Sequence, residues 1–512
     1  MALSQEADYI VIGAGSSGCV VVNRLSADPS VRVLLVEAGQ SGEHDPAVLT
    51  PGRWTSLTGS AYDWGYATEP EPGLDGRSLL FPRGRVLGGS SAINAMVHVR
   101  GHRQPYDRWE ARGNPGWGYD GLRPCFDRVE RHDMGEGGQP PEPGVLAVNR
   151  CRDPHAGHEV FLDAAGERGF AVDRDHDFNG PEPDGVAGFV RKNILGGRRH
   201  STAAAFLVPA LGRPNVALRS PAQATRLLIE GRRVTGVEYL RDGRLERARA
   251  RREVILCAGA VDSPRLLQLS GIGPADALHA HGLDVAADLP GVGRHLQDHL
   301  KLPVRWAGRT TLPGSTVTAC LFTASPGAGS PADLQLYVGR GLAQPDPFVT
   351  IAISLVRPLS SGAVTLRSSD PLAAPLVRAG YLERHEDVRA LTCGVRLVRE
   401  LAASTAYDRL RGEETDPGAG VTATGDLERF VRQRADTIYH PVGTCRMGPD
   451  TDPDAVVDAR LRVRGMDGLR VADASIMPEA INAPTHAACV AIGERCAALV
   501  LEDEADGTRR PT

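Results

Sequence analysis

Residues 9–12 (Tyr-Ile-Val-Ile) form an unbroken apolar run, and residues 31–36 repeat the pattern with one polar interruption. Short β-branched runs bounded by turn residues predict buried parallel strands. Between them the small-residue stretch 13–18 gives way to residues 19–25, whose apolar positions fit a helix. Further along, residues 216–218, 225–229 and 234–239 alternate apolar with polar and predict a small antiparallel sheet. Residues 254–256 return to a buried strand. Residues 334–338, 349–356 and 363–366 predict a second antiparallel sheet. The Pro/Gly-rich stretch 135–144 reads as an exposed loop, and residues 315–331, small and polar, as an irregular or mobile connection. Near the C-terminus Asn482-Ala-Pro484-Thr predicts a helix start, with Asn482 as the cap and Pro484 in the first turn. That helix continues through Ala488, Val490, Ile492, Ala497 and Val500 as a buried element.

Composition narrows the function classes. The chain has 512 residues, 41% apolar and 24% charged, with a net charge of −5. Two or three domains are expected, at about 150 residues each. The mild acidity argues against nucleic acid, which needs a basic face. No apolar stretch is long enough to predict a bilayer span, and the N-terminus shows no charged-then-apolar signal segment. The nine cysteines are dispersed without Cys-x-x-Cys spacing, so neither structural zinc nor a disulfide framework is expected, and no metal site is assigned. These features point to a cytoplasmic protein. Only Lys192 and Lys301 are lysines; the scattered arginines, matched by acids, read as coding bias.

The first strand, the glycines Gly13, Gly15 and Gly18, the helix, the second strand and Glu37, 19 residues after Gly18, stand in the order of a dinucleotide site. Glycines there permit a tight turn and bring backbone N–H groups to a pyrophosphate, and the acid accepts hydrogen bonds from a ribose diol. This fingerprint alone does not separate NAD from FAD. Two further glycine-rich stretches, residues 83–94 and 259–273, favour a large flat cofactor that needs several close backbone approaches. His440 sits in the run Tyr439-His-Pro-Val-Gly-Thr-Cys-Arg-Met-Gly448, and His486 follows 46 residues later. Alcohol oxidation removes a hydroxyl proton while hydride leaves the adjacent carbon, and a neutral imidazole suits the first task.

These stretches, with residues 37–39, 289–293, 297–299 and 471–478, resemble the glucose–methanol–choline (GMC) oxidoreductase family of FAD-dependent alcohol oxidases and dehydrogenases, in family order along nearly the whole chain. The resemblance implies an α/β (α+β) fold, in which a Rossmann-like FAD-binding domain is interleaved with a substrate domain built on an antiparallel sheet with helices. Residues 5–300 are expected to form the N-terminal FAD-binding region, 301–455 the substrate domain, and 456–505 a return to the FAD domain. Implied FAD contacts are Gly13, Gly15, Ser16, Ser17 and Gly18 of the loop, with Glu37 and Ala38 at the end of the second strand. Trp64, Val86 and Gly89 follow, then Asn94, Ala95, Met96 and Val97. Ala224, Tyr439, Asp473 and Ala474 complete the set, Tyr439 at the flavin edge.

By the same resemblance His440 is the base. Its partner position carries His or Asn in relatives, eight residues after the proline of Ser-Ile-Met-Pro and seven before the glycine of Ile-Gly-Glu. His486 meets both spacings, and Asn482 misses both by four. His440 and His486 are therefore expected as the catalytic pair, titrating as coupled sites. His98, His200 and His299 are read as structural, although His299 could face the site by motif position. Relatives that tether FAD use a histidine where this chain has Ile93, so FAD is expected to bind non-covalently. The expected reaction is oxidation of a small-molecule alcohol to an aldehyde or ketone, with oxygen, a quinone or another electron carrier as acceptor. A lyase of the same family without net redox turnover is the alternative. An NAD-linked dehydrogenase leaves the extra glycine runs without a role, and a non-catalytic nucleotide-binding protein leaves the histidines without one.

Overall fold

The computed structural model describes residues 6–133, 144–151, 154–329, 331–338 and 346–506. Strand Glu6–Ile12 is buried from its second residue onward, the pattern of a strand covered on both faces. It runs parallel to Val33–Val36 on one side and to the end of the long strand Arg244–Leu256 on the other. Val216–Arg219 adds outside Val33–Val36, and Leu469–Val471 pairs beyond residues 254–256, both parallel. A segment far along the chain thus rejoins the sheet that the first residues begin.

The small antiparallel sheet expected from residues 216–239 is not a separate unit. Residues 216–219 belong to the parallel part, while Gln223–Glu230 and Arg233–Arg241 extend the same sheet antiparallel from the first half of Arg244–Leu256. That strand changes environment halfway: its charged, alternating N-terminal half is largely exposed and its last three residues are buried. Only the buried end has the apolar run that sequence periodicity detects.

In the second sheet Leu300–Leu312 pairs antiparallel with Asp346–Leu355 on one side and with Arg411–Asp416, the edge strand, on the other. Leu334–Val338 pairs on the far side of Asp346–Leu355, followed by Ala319–Thr323. Two expectations change here. The strand Gly362–Thr365 belongs instead to a three-stranded sheet with Arg294–Leu296 and Leu376–Arg378. The connection at residues 315–331 contains a buried strand, because Ala319, Cys320, Leu321 and Phe322 are all fully enclosed. The loop expected at residues 135–144 lies, except for Gly144, outside the described residues.

The apolar interior divides in the same way. One core unites the first sheet with helix Ser16–Leu25 and the C-terminal helix His486–Ala505; the other fills the space under the antiparallel sheet and helix His385–Ala402. Gly493 lets the C-terminal helix approach the first: a Cβ there would stand 2.6 Å from the Ser17 carbonyl oxygen. Arg470, 1% exposed, ties the Leu469–Val471 strand to Glu253 and Asp503. No helix among the described residues is long and apolar enough to cross a membrane.

Candidate active site

A cavity of about 390 Å³ lies between the two sheets and is walled by both. Its nucleotide end is built from the turn after strand Glu6–Ile12. Gly13, at φ 99°, lies against the Cys257 carbonyl, where a Cβ would come to 2.5 Å. Gly89, from the second glycine run, docks on this turn; its Cβ would meet the Gly15 Cα at 2.7 Å. Helix Ser16–Leu25 begins with Gly15 as its N-cap and no side chain closing its first N–H groups. A crowded backbone cradle ending on an open helix N-terminus fits a pyrophosphate.

Glu37 is buried at the rim of this cradle. Its two carboxylate oxygens accept the backbone N–H groups of Ala14 and Gly39, each at 2.7 Å. Burial outweighs these bonds and pushes its carboxyl up to about 7. Asp473 joins two motifs: it accepts from the Gly259 N–H, from Ser263 Oγ and from the Ser475 N–H. Asn94 accepts from the Met96 N–H at 2.9 Å and from Arg199, and so steadies Met96 at φ 60°, a rare conformation for a large side chain.

Eighteen of the twenty residues assigned from sequence line this one cavity, including His440 and His486. Gly18 and Val86 do not. Gly18 is required for packing between loop and helix, since a Cβ there would meet the Gly13 carbonyl oxygen at 2.0 Å. Val86 is fully buried among Val48, Leu57, Ala92 and Ile93, and bridges to Gln40. Both support the walls from behind.

At the other end, His440 follows Tyr439, which adopts φ 71°. Its backbone N–H donates to Asp298 Oδ1 at 2.6 Å, and Asp298 also accepts from Thr437 Oγ1 and the Tyr381 hydroxyl. Arg83 donates to the Tyr439 carbonyl at 2.6 Å. The His440 ring meets the His299 ring nearly edge to face, with Nδ1 to Nδ1 at 3.0 Å. Burial, then His299, then Arg83 hold the His440 imidazole well below its usual pKa, and burial takes His299 down to about 4. His299, read from sequence as structural, is thus the immediate neighbour of His440. The adjacent motif 297–299 was its only signal.

His486 is the first residue of the C-terminal helix, whose N-cap is Thr485. This corrects the expected start at Asn482. Asn482 is fully buried three residues before the cap, and its Oδ1 accepts the His102 backbone N–H at 2.9 Å. His486 Nδ1 stands 3.0 Å from Ser16 Oγ, so the starts of the two helices meet at the cavity. Burial, then His98 and Arg199, take its pKa down to about 3. The expected coupling between His440 and His486 is redistributed: the like-charged ring nearest in effect is His299 for one and His98 for the other.

The antiparallel sheet supplies the remaining wall. Register sets Lys301 opposite Ser354 and Ser354 opposite Gln335, a row across three strands, with Tyr337 two places beyond Gln335. All four line the cavity, and none was assigned a role at the site from the sequence.

Models of the GMC oxidoreductase family match residues 7–301 for the N-terminal part and 358–493 for the C-terminal part. The chain belongs to the GMC oxidoreductase family. It is 39% identical to the mitochondrial choline dehydrogenase of Mus musculus, over 97% of this chain and 89% of that protein. It is 40% identical to the oxygen-dependent choline dehydrogenase of Sinorhizobium medicae, over 97% and 96%. Among solved structures it resembles pyridoxine 4-oxidase from Mesorbium loti, at 32% identity and a TM-score of 0.89 over 97% of this chain and 99% of that one. A formate oxidase of Aspergillus oryzae matches at 26% identity and 0.88, over 98% and 99%. The family assignment makes the chain an FAD-dependent oxidoreductase acting on CH–OH donors, with the mixed α/β architecture described above. The glycine cradle, the open helix start and Glu37 fit the dinucleotide part of FAD.

Proposed function

We propose that the chain oxidises an alcohol to an aldehyde or ketone, with His440 accepting the hydroxyl proton at Nε2 and His486 holding the substrate oxygen. The observation that carries this reading is the Nδ1–Nδ1 contact between His440 and His299 at 3.0 Å. A neutral imidazole has one N–H and one lone pair. When His440 donates from Nδ1 to Nδ1 of His299, its lone pair lies on Nε2, and no protein group bonds that nitrogen among the described residues. Burial, then His299 and Arg83, keep the ring neutral, so the lone pair persists through the neutral range. His486, also held neutral, accepts the Ser16 hydroxyl at Nδ1 and presents Nε2–H to the substrate oxygen. FAD, when bound, supplies the acceptor for the hydride that leaves the carbinol carbon. In this reading residues 5–300 and 456–505 hold the cofactor and 301–455 form the substrate side, with oxygen or a redox carrier as final acceptor.

The test is anaerobic flavin reduction by a panel of alcohols, with oxygen and an artificial dye compared as acceptors. His440→Ala is expected to retain FAD and to lose roughly 100-fold or more in kcat/KM, the scale of a positioned general base. Turnover by that variant at the wild-type rate would overturn the assignment.

A further inference from the structure

The curated relatives named above act on choline, whose far end is a quaternary ammonium. A cavity that seats such a cation offers carboxylates or open aromatic faces. Among the described residues the carboxylates lining this one are Glu37, Asp262 and Asp473, and each is already engaged: Glu37 by two backbone N–H groups, Asp262 by the Tyr66 hydroxyl and Arg265, Asp473 by Gly259 and Ser263. None of them stands on the antiparallel sheet.

Of the Trp and Tyr side chains that line the cavity among the described residues, Trp54, Trp64, Tyr337 and Tyr439, two already carry a cation of the protein's own. The Arg85 guanidinium lies 4.8 Å from the centre of the Trp64 ring, which also stacks on Tyr66. The Lys301 ammonium lies 4.9 Å from the centre of the Tyr439 ring. At Trp64 and Tyr439 the protein's own cations thus sit where a substrate cation would be received.

The wall formed by the antiparallel sheet offers the reverse chemistry. Lys301, Ser354, Gln335 and Tyr337 present an ammonium, two hydroxyls and an amide on the same lining surface. The Lys301 ammonium keeps Asp436 as one partner at 3.2 Å and retains two further N–H donors. Lys192, the only other lysine in a chain that otherwise uses arginine, also lines the cavity. Coding bias explains the scarcity of lysine but not why both lysines face this space.

Resting on the reading of this cavity as an alcohol-oxidation site, we infer that the substrate is an alcohol whose far end is an anionic acceptor such as a carboxylate, seated at the Lys301 row, and that a quaternary ammonium end is discriminated against.

Three alcohols test the charge at the far end on the holoenzyme: choline, its uncharged isostere 3,3-dimethylbutan-1-ol, and 4-hydroxybutanoate. The expected order of kcat/KM is 4-hydroxybutanoate first and choline last, with steps of roughly 10-fold, the size of a single charge contact in a partly enclosed site. Choline in first place, or the isostere ahead of 4-hydroxybutanoate, overturns the inference. A binding arm works even if no alcohol is oxidised: trimethylacetate and tetramethylammonium, similar in shape and opposite in charge, are titrated against the visible spectrum of the bound flavin. Trimethylacetate is expected to bind roughly 10-fold more tightly. If no alcohol reduces the flavin while trimethylacetate is still preferred, the oxidation reading fails and the anion site stands; equal or reversed binding removes the anion site whatever the turnover. Lys301→Met should reduce the trimethylacetate preference to within about 3-fold, and Lys301→Arg should restore it. A purely structural Lys301 would change thermal stability in both variants and leave the ratio of the two affinities where it was.

Discussion

His299 decides what His440 can do, because two imidazoles that share a hydrogen bond through Nδ1 fix each other's tautomers. In the proposed mechanism His440 is a base at Nε2 only while His299 accepts at Nδ1. His299→Gln keeps an acceptor in reach and removes a ring that opposes a charge on His440. The His440 pKa, held down by burial and then by His299, should rise toward 6.5 in that variant. The sign follows: the base is lost on protonation, so the wild-type kcat/KM should stay level from pH 8 to below 6.5 and fall only at more acid pH. In His299→Gln that fall should begin at higher pH. His299→Leu offers no acceptor, frees the wrong tautomer, and should cost roughly 10-fold or more at pH 7.5, where the ring is neutral in either case. A pH–rate series of the three proteins checks this, and an unshifted acid limb in His299→Gln would remove His299 from the mechanism.

Elements show where the sequence could be read and where it could not. The turn at Gly13, the strand before it and Glu37 were legible because each rests on local geometry: a glycine where φ is 99°, an apolar run, an acid at the next strand end. The strand Leu300–Leu312 was missed although it is long and paired on both sides. It alternates buried and half-buried residues around Lys301, Pro303 and Arg305, and its pairing partners lie tens of residues away. Which sheet receives residues 216–219 or 362–365 is likewise a matter of distant partners, invisible to a local pattern. Asn482 failed for a different reason. Its side chain and the following proline match a cap motif, yet burial against Gly101 and His102 gives its oxygen another donor, and Thr485 becomes the cap. The two positions therefore separate by experiment. Asn482→Ala should strand the buried His102 N–H, lower stability by about 1–3 kcal/mol and leave the rate of flavin reduction nearly intact. His486→Ala should slow reduction by roughly 10-fold or more, and His486→Asn, which still donates to the substrate oxygen, should be milder. Thermal midpoints beside stopped-flow reduction decide it; a slow Asn482→Ala with a silent His486→Ala would move the site by four residues.

At the scale of the whole molecule, the cavity is the seam between two cores. One carries the parallel sheet and the helices starting at Ser16 and His486; the other carries the antiparallel sheet. Groups from both line it, so a ligand that contacts both sides stabilises their juxtaposition. FAD bound to the folded chain and not to the unfolded one raises stability by mass action, about 2.7 kcal/mol when free FAD stands at 100 times its Kd. Ile93, which lines the cavity, carries no nucleophile that could bond the cofactor covalently. Acid precipitation should therefore leave the yellow colour in the supernatant and a colourless pellet of unchanged polypeptide mass. Protein stripped of FAD under milder conditions should unfold several degrees lower and regain its midpoint when free FAD is added, in proportion to the colour recovered. Pellet mass, absorbance and melting curves measured on one preparation separate the outcomes. A mass increment of one FAD would place the attachment at a residue other than Ile93, and an unchanged melting temperature after stripping would mean that the two cores hold the seam closed without the cofactor.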